Sequence, residues 1–191
     1  GILASQLRNA GQVTNKGIEL NTSFSVIDAP NLSWSLNAGY AYNSNEMVDL
    51  AGTPRQVVDR FGTEIVEGYP IAGKWERVIV GYDDAGMPIA SDTAHYIGPS
   101  IPPHTGNVGS DLTMGSLTVR ANGQFAMGHV VNNHLKPYMA QGGVGEDYFA
   151  VLESVGGDEN HPDMQRAMAE WGIYGEYIED ADWFKLRELS A

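Results

Sequence analysis

The chain reads as all-β: about five strands of a partial transmembrane antiparallel β-barrel with long extracellular loops. Three observations predict this. Two long hairpins alternate apolar and polar residues with a strict period of 2. Their strands are longer than the ~5–6 residues usual in soluble proteins, and reach the ~9–11 a tilted membrane strand needs. The connections run short, long, short, long, as in outer-membrane barrels with short periplasmic turns and long outer loops. Period 2 alone leaves a second reading open, the half-buried sheet of a soluble extracellular carbohydrate-binding module.

The first hairpin spans 15–46. Ile18, Leu20, Thr22, Phe24 and Val26 fall on one face, and Glu19, Asn21, Ser23 and Ser25 on the other. Asp28-Ala29-Pro30-Asn31 breaks the run with turn formers. Leu32, Trp34, Leu36, Ala38, Tyr40 and Tyr42 then oppose Ser33, Ser35, Asn37, Gly39 and Asn43. The polar face is small and rich in Ser, Asn and Gly, which suits a wide wet interior. Aromatics gather towards the ends of the apolar face, where membrane interfaces collect them.

Residues 1–16 read as loop, with Asn9-Ala10-Gly11 and Asn15-Lys16-Gly17 as turn signals. From 47 to 104 glycines, prolines and charges interrupt short extended pieces, so a long irregular loop is expected. The second hairpin begins near Thr105. Val108, Ser110, Leu112 and Met114 share a face opposite Gly109, Asp111 and Thr113. After a turn at Gly115-Ser116, Leu117, Val119, Ala121, Gly123, Phe125 and Met127 oppose Thr118, Arg120, Asn122 and Gln124. The alternation sets Arg120 on the polar face, near Asp111. A second irregular stretch, 128–182, holds one expected helix, Pro162–Trp171, with Pro at its first turn and Gly172 after its end. A last strand starts near Trp183. Leu189 is out of phase with Phe184 and Leu186, which a bulge would explain.

In a barrel, Glu19, Asn21, Asn37, Asp111, Arg120, Asn122 and Gln124 face the lumen. The loop aromatics Tyr69, Trp75, Tyr82, Tyr138, Trp171 and Tyr174 are candidates to stack on a ligand, with packing or a partner contact as the plainer account of each. No cofactor, metal site or catalytic site is expected. Asp158, Glu159, His161 and Asp163 do not follow Ca²⁺-loop spacing and suit a helix N-terminus. His129 and His134 lack a third zinc ligand. Asp83 and Asp84 precede Ala85-Gly86 and read as a turn. The net charge of -13 argues against nucleic-acid binding. The absence of Cys excludes a disulfide scaffold and a thiolate metal site.

Five motifs in order resemble the late barrel of the SusC/RagA family of TonB-linked outer-membrane proteins. Asn15-Lys16-Gly17-Ile18-Glu19-Leu20 opens the long hairpin, and Glu67-Gly68-Tyr69-Pro70-Ile71 is similar to the family's E-G-x-P-I segment. Asp83-Asp84-Ala85-Gly86-Met87-Pro88 resembles D-x-x-G-x-P, and Tyr96-Ile97-Gly98-Pro99-Ser100-Ile101-Pro102 resembles Y-I-G-x-x-x-P. The run from Glu179 to Leu189 is similar to E-D-A-S-F-L-R-L-R-N-V, departing from it at Asp182, Trp183 and Glu188. The resemblance implies a bacterial outer-membrane importer of oligosaccharides or peptides, driven through TonB and not an enzyme. It implies contact with outer-membrane lipid and a SusD-like surface lipoprotein capping the barrel. Residues 1–191 would then be a fragment of the barrel domain, with plug, TonB box and remaining strands elsewhere in the protein.

Overall fold

The structure, a computed structural model, describes residues 11–53 and 55–191. In chain order, β1 (Gln12–Ala29) and β2 (Leu32–Asp49) form the first hairpin. The next segment holds β3 (Gln56–Val57), β4 (Thr63–Ile65), β5 (Gly73–Glu76), β6 (Ile79–Tyr82), β7 (Pro88–Ala90) and β8 (His95–Pro99). The second hairpin is β9 (His104–Met114) and β10 (Leu117–Met127). Then come β11 (Val130–Asn132), α1 (Leu135–Gln141), α2 (Glu146–Ser154), α3 (Pro162–Trp171), a 3-10 turn (Tyr174–Tyr177), β12 (Ile178–Asp180) and β13 (Trp183–Ser190). The long strands make one antiparallel sheet in the order β1-β2-β9-β10-β13.

The register decides which side chains share a face. Leu20 pairs with Tyr40, Tyr40 with Gly106, Gly106 with Phe125 and Phe125 with Phe184. The same alignment runs from the Leu32–Met114–Leu117 row at the turns to the Ile18–Tyr42–His104–Met127 row at the other end. Every apolar run therefore lands on one continuous face. Among the described residues nothing packs over it: Ile18, Leu20, Phe24, Phe184, Leu186 and Leu189 are all more than half exposed. From Leu32 to Tyr42 the strand rises ~33 Å, and a tilt of ~40° leaves a band ~25 Å tall, the apolar height of an outer-membrane barrel. Polar atoms on this face find partners within it. The Trp34 indole donates to Ser110 Oγ at 3.0 Å, and Tyr40 Oη meets His104 Nδ1 at 2.7 Å. Tyr40, Tyr42, His104, Phe125 and Phe184 crowd the loop end of the band, as an interfacial girdle does.

Two bulges keep the faces in phase. Ser25 pairs with Ser35 and Ile27 with Trp34, so Val26 is an extra residue. Val26 was expected on the apolar face; Ile27 takes that place beside Trp34. In β13, Asn122 pairs with Glu188 but Gly123 with Leu186, leaving Arg187 as the extra residue. That bulge returns Leu189 to the face of Phe184 and Leu186.

The loop expected over 1–16 is corrected in its described part: β1 begins at Gln12, and Lys16 and Gly17 pair with Ser44 and Asn43. A long partner strand overrides local turn propensity. The part before Gly11 lies outside the described residues. The irregular loop expected at 47–104 is also corrected. β2 continues to Asp49, and six short strands form a β3-β4-β5-β8 sheet and a β6-β7 pair. In 128–182, α3 has the expected bounds, with His161 Nδ1 accepting the Asp163 N–H at 3.2 Å. Two further helices stand beside it. They escape sequence reading because α1 and α2 lack side-chain caps, and Gly142, Gly143 and Gly145 interrupt the chain between them. Ala140, Met164, Ala167 and Trp171 bury together where the helices meet.

Both long segments leave the same end of the sheet and build one lobe there. Met47 N–H donates to Tyr69 O at 2.9 Å, and Ile71 N–H to Asn45 Oδ1 at 2.8 Å. Gly128 N–H donates to Asp182 Oδ1 at 2.6 Å.

Candidate functional site

The polar face of the sheet is a ladder of asparagines set against glycines. Asn21, Gly39, Asn107 and Gln124 form one row; Ser23, Asn37, Gly109, Asn122 and Glu188 form the next. A Cβ at Gly39 would collide with the amide oxygens of Asn107 and Asn21, and one at Gly109 with those of Asn122 and Asn37. Missing side chains thus make room for flanking amides. Arg120 Nε lies 3.1 Å from Asp111 Oδ1, with both side chains more than a third exposed. Asn122 Nδ2 donates to Glu188 Oε2 at 3.0 Å, and Arg187 Nε to Gln124 Oε1 at 2.9 Å. Glu19, Asn21, Asn37, Asp111, Arg120, Asn122 and Gln124 all share this face. It offers hydrogen-bonding groups to polar solutes and little apolar surface.

In the lobe, a cleft of about 420 Å³ opens between the β3-β4-β5-β8 sheet and the chain entering α1. Asp59, Phe61, Lys74, Val130, Asn132 and His134 line it. A chain of hydrogen bonds fixes its wall. The Lys74 ammonium donates to Thr63 Oγ1 at 2.6 Å and to Phe61 O at 3.2 Å. Asn132 Nδ2 donates to the same carbonyl at 3.3 Å, and Asn132 Oδ1 sits 2.7 Å from His134 Nδ1. Asp59 Oδ1 accepts the Phe61 and Thr63 N–H groups at 2.7 and 3.1 Å. Burial pushes the Asp59 carboxyl up, but hydrogen bonds from Thr63 and Phe61, with Lys74 nearby, outweigh it and hold it below its ordinary value. Burial is the main cause that raises Glu76, on the last residue of β5.

The six loop aromatics do not form one site. Tyr69 and Trp75 pack on each other and on Tyr96, with centroids 4.7 to 5.3 Å apart. Tyr82 is exposed beside Glu170, whose charge raises the phenol. Trp171 lies in the helical core at 6% exposure, so its expected ligand contact is corrected: a ring this buried has no free face to stack. Tyr138 and Tyr174 do come together, around His134. The His134 ring stacks on Tyr174 at 4.9 Å, meets Phe61 edge-on at 4.7 Å and lies 6.3 Å from Tyr138. Sequence reasoning missed Phe61, Lys74 and Asn132 altogether and considered His134 only as a zinc ligand. No spacing signals them, because Asn132 is 71 positions from the carbonyl it meets. Asp158, Glu159, His161 and Asp163 occupy a turn and the start of α3; Asp158 Oδ1 caps Asn160 N–H at 2.9 Å.

Comparison with known proteins agrees with this architecture. No curated protein sequence matches the chain. A structure of the RagAB peptide transporter superposes with a TM-score of 0.74 at 18% identity, covering 97% of this chain and 23% of that one. The RagAB peptide importer in its open-open state gives a TM-score of 0.75 at 18% identity, with 97% and 22% coverage. Its closed-closed state gives 0.73 at 17% identity, with 95% and 23% coverage. At these identities the likeness is one of fold. The chain spans about a quarter of the length of those proteins. The family described as TonB dependent receptor-like, beta-barrel, matches residues 1–176. This chain therefore belongs to the TonB-dependent receptor β-barrel family.

Proposed function

We propose that this chain is a sector of a SusC/RagA-type importer in the outer membrane of a bacterium, energised through TonB. One observation carries the reading: a single five-stranded sheet has an uncovered apolar face ~25 Å tall and an opposite face of Asn, Ser, Gly and charge. The apolar face meets lipid and the polar face lines the lumen. A soluble carbohydrate-binding module would need a second layer over the apolar face, and the described residues supply none. The lobe lies on the extracellular side, where a SusD-like lipoprotein rests on it. The plug, the TonB box and the remaining strands belong to the full-length protein; five strands alone leave open edges at β1 and β13.

The transported molecule is an oligosaccharide or a peptide, and passes through unchanged. The structural neighbours are described as a peptide transporter and importer, which favours the peptide. The test is uptake by cells carrying or lacking the full-length gene, with and without TonB, using labelled peptide and oligosaccharide pools. Loss of uptake of one pool on deleting either gene is the expected result. Uptake of both pools unchanged by either deletion overturns the proposal.

A further inference from the structure

Among the described residues, Trp183 is the one aromatic side chain on the polar face of the five long strands. Phe184 pairs with Phe125 on the apolar face, so Trp183, paired with Ala126, takes the opposite one. Its row runs through Ala126, Thr105 and Ala41 to Glu19. That row lies next to the Tyr42–His104 row at the loop end of the band. Ala41, Thr105 and Ala126 are too short to cover an indole, and Trp183 stays 40% exposed. A hollow of about 410 Å³ opens beside it, lined also by Pro102, Thr105, Asn107, Gln124 and Ala126. Among the described residues no charged side chain lines it. The Arg187 guanidinium lies 5.9 Å from the Trp183 ring centre, and its Nε donates to Gln124 Oε1 at 2.9 Å. This contact steadies the indole, and Gln124 still offers its amide N–H groups. An indole held in a wet hollow among amides is a ready surface for a second ring, which would remove apolar area from water and gain ring-on-ring attraction.

We propose that Trp183 is a stacking platform, at the outer mouth of the lumen, for an aromatic side chain of the transported peptide. The proposal rests on the importer reading, since the polar face then meets the solute. The lining chooses between a peptide ring and a sugar ring. Trp183, Pro102 and Ala126 are apolar, and only Thr105, Asn107 and Gln124 are polar. A sugar carries hydroxyls all round its edge, and some would lie unpaired against Pro102 and Ala126. An aromatic side chain such as phenylalanine has no polar group on its ring. Its own backbone supplies the donor and acceptor that the Asn107 and Gln124 amides match.

The test uses the full-length protein in detergent and isothermal titration with four probes. Three are glycine–serine pentapeptides with a central phenylalanine, leucine or alanine, and the fourth is a galactose tetramer. The phenylalanine peptide should bind about tenfold tighter than the alanine one and about threefold or more tighter than the leucine one. Trp183→Leu should remove the phenylalanine-over-leucine preference, Trp183→Phe should retain part of it, and both should leave the mobility of the folded protein on unheated gels unchanged. The comparison of peptides on the unaltered protein needs no variant to fold. Equal affinity for the three peptides, no binding of any of them, or a preference that survives Trp183→Leu overturns the platform. Binding of the galactose tetramer that is tighter than that of every peptide and is lost in Trp183→Leu overturns the peptide assignment. A peptide importer blind to the central ring leaves the transport reading standing, whereas a ring preference in a protein that moves nothing removes the transport reading alone.

Discussion

Val108→Arg tests the assignment of the sheet's faces. Val108 sits on the apolar face between Ala38 and Gly123, and Gly123 also pairs with Leu186. It lies near mid-height, between the Leu32–Met114 row and the Tyr42–His104 row. It is 44% exposed, so a longer side chain meets no steric barrier and only the medium decides the cost. Among the described residues no acidic residue pairs beside it on that face. At the centre of a bilayer an arginine costs ~2–4 kcal/mol, falling to ~0–1 near the interface. The central figure is about 30- to 900-fold in the folding equilibrium. Asn107→Arg moves the same charge one residue along and onto the polar face, where it should cost under ~1 kcal/mol. Ile18→Arg, in the row at the loop end of the band, should also be mild. The assay is denaturant unfolding of the full-length protein in phosphatidylcholine vesicles by tryptophan fluorescence, with the folded band on unheated gels as a second readout. Equal midpoints for Val108→Arg and Asn107→Arg, or a larger loss for Asn107→Arg, would refute the lipid-facing assignment.

Other consequences follow from packing and charge. A Cβ at Gly106 would stand 2.5 Å from Gly39 O and from the Phe125 ring. Gly106→Ala should therefore cost ~1–3 kcal/mol, and more than Gly109→Ala, which meets only the movable amides of Asn37 and Asn122; denaturant midpoints rank the two. A double-mutant cycle on Asp111 and Arg120 should give a coupling of ~0.2–1 kcal/mol that shrinks with salt, because both groups are partly solvated. Trp171→Ala should loosen the helical core by ~3–5 kcal/mol. Limited proteolysis should then cut within 128–182 while the barrel keeps its unheated gel mobility. Asp59 has its carboxyl lowered in the fold, so its stabilising contribution is present above the ordinary value of 3.8 and is lost as pH falls through the folded one. Glu76 is raised above 4.5, so the fold favours its neutral form and loses stability as pH climbs through the folded value. Glu76→Gln should flatten that decline, read as protease resistance of the lobe against pH.

The two-faced sheet was legible in the sequence because alternation is a local property. Each apolar residue from Ile18 to Phe24, Leu32 to Tyr42 and Leu117 to Met127 takes its face from its parity alone, and the turns at Pro30-Asn31 and Gly115-Ser116 punctuate the runs. The α3 helix was legible for the same reason, through Pro162 and Gly172 at its ends. Parity could not place the bulges. Val26 and Arg187 stand as extra residues only against Trp34 and Asn122, partners eight and 65 positions away. The short strands β3 to β8 and the uncapped helices α1 and α2 likewise owe their form to tertiary contacts, since their own residues are too few to hold it. The cleft depends on the same contacts. Phe61 O accepts from Lys74 and Asn132 only because the lobe brings 61, 74 and 132 to one point. Local pattern determined the faces of the sheet, whereas closure of the chain over long separations decided which loop residues meet.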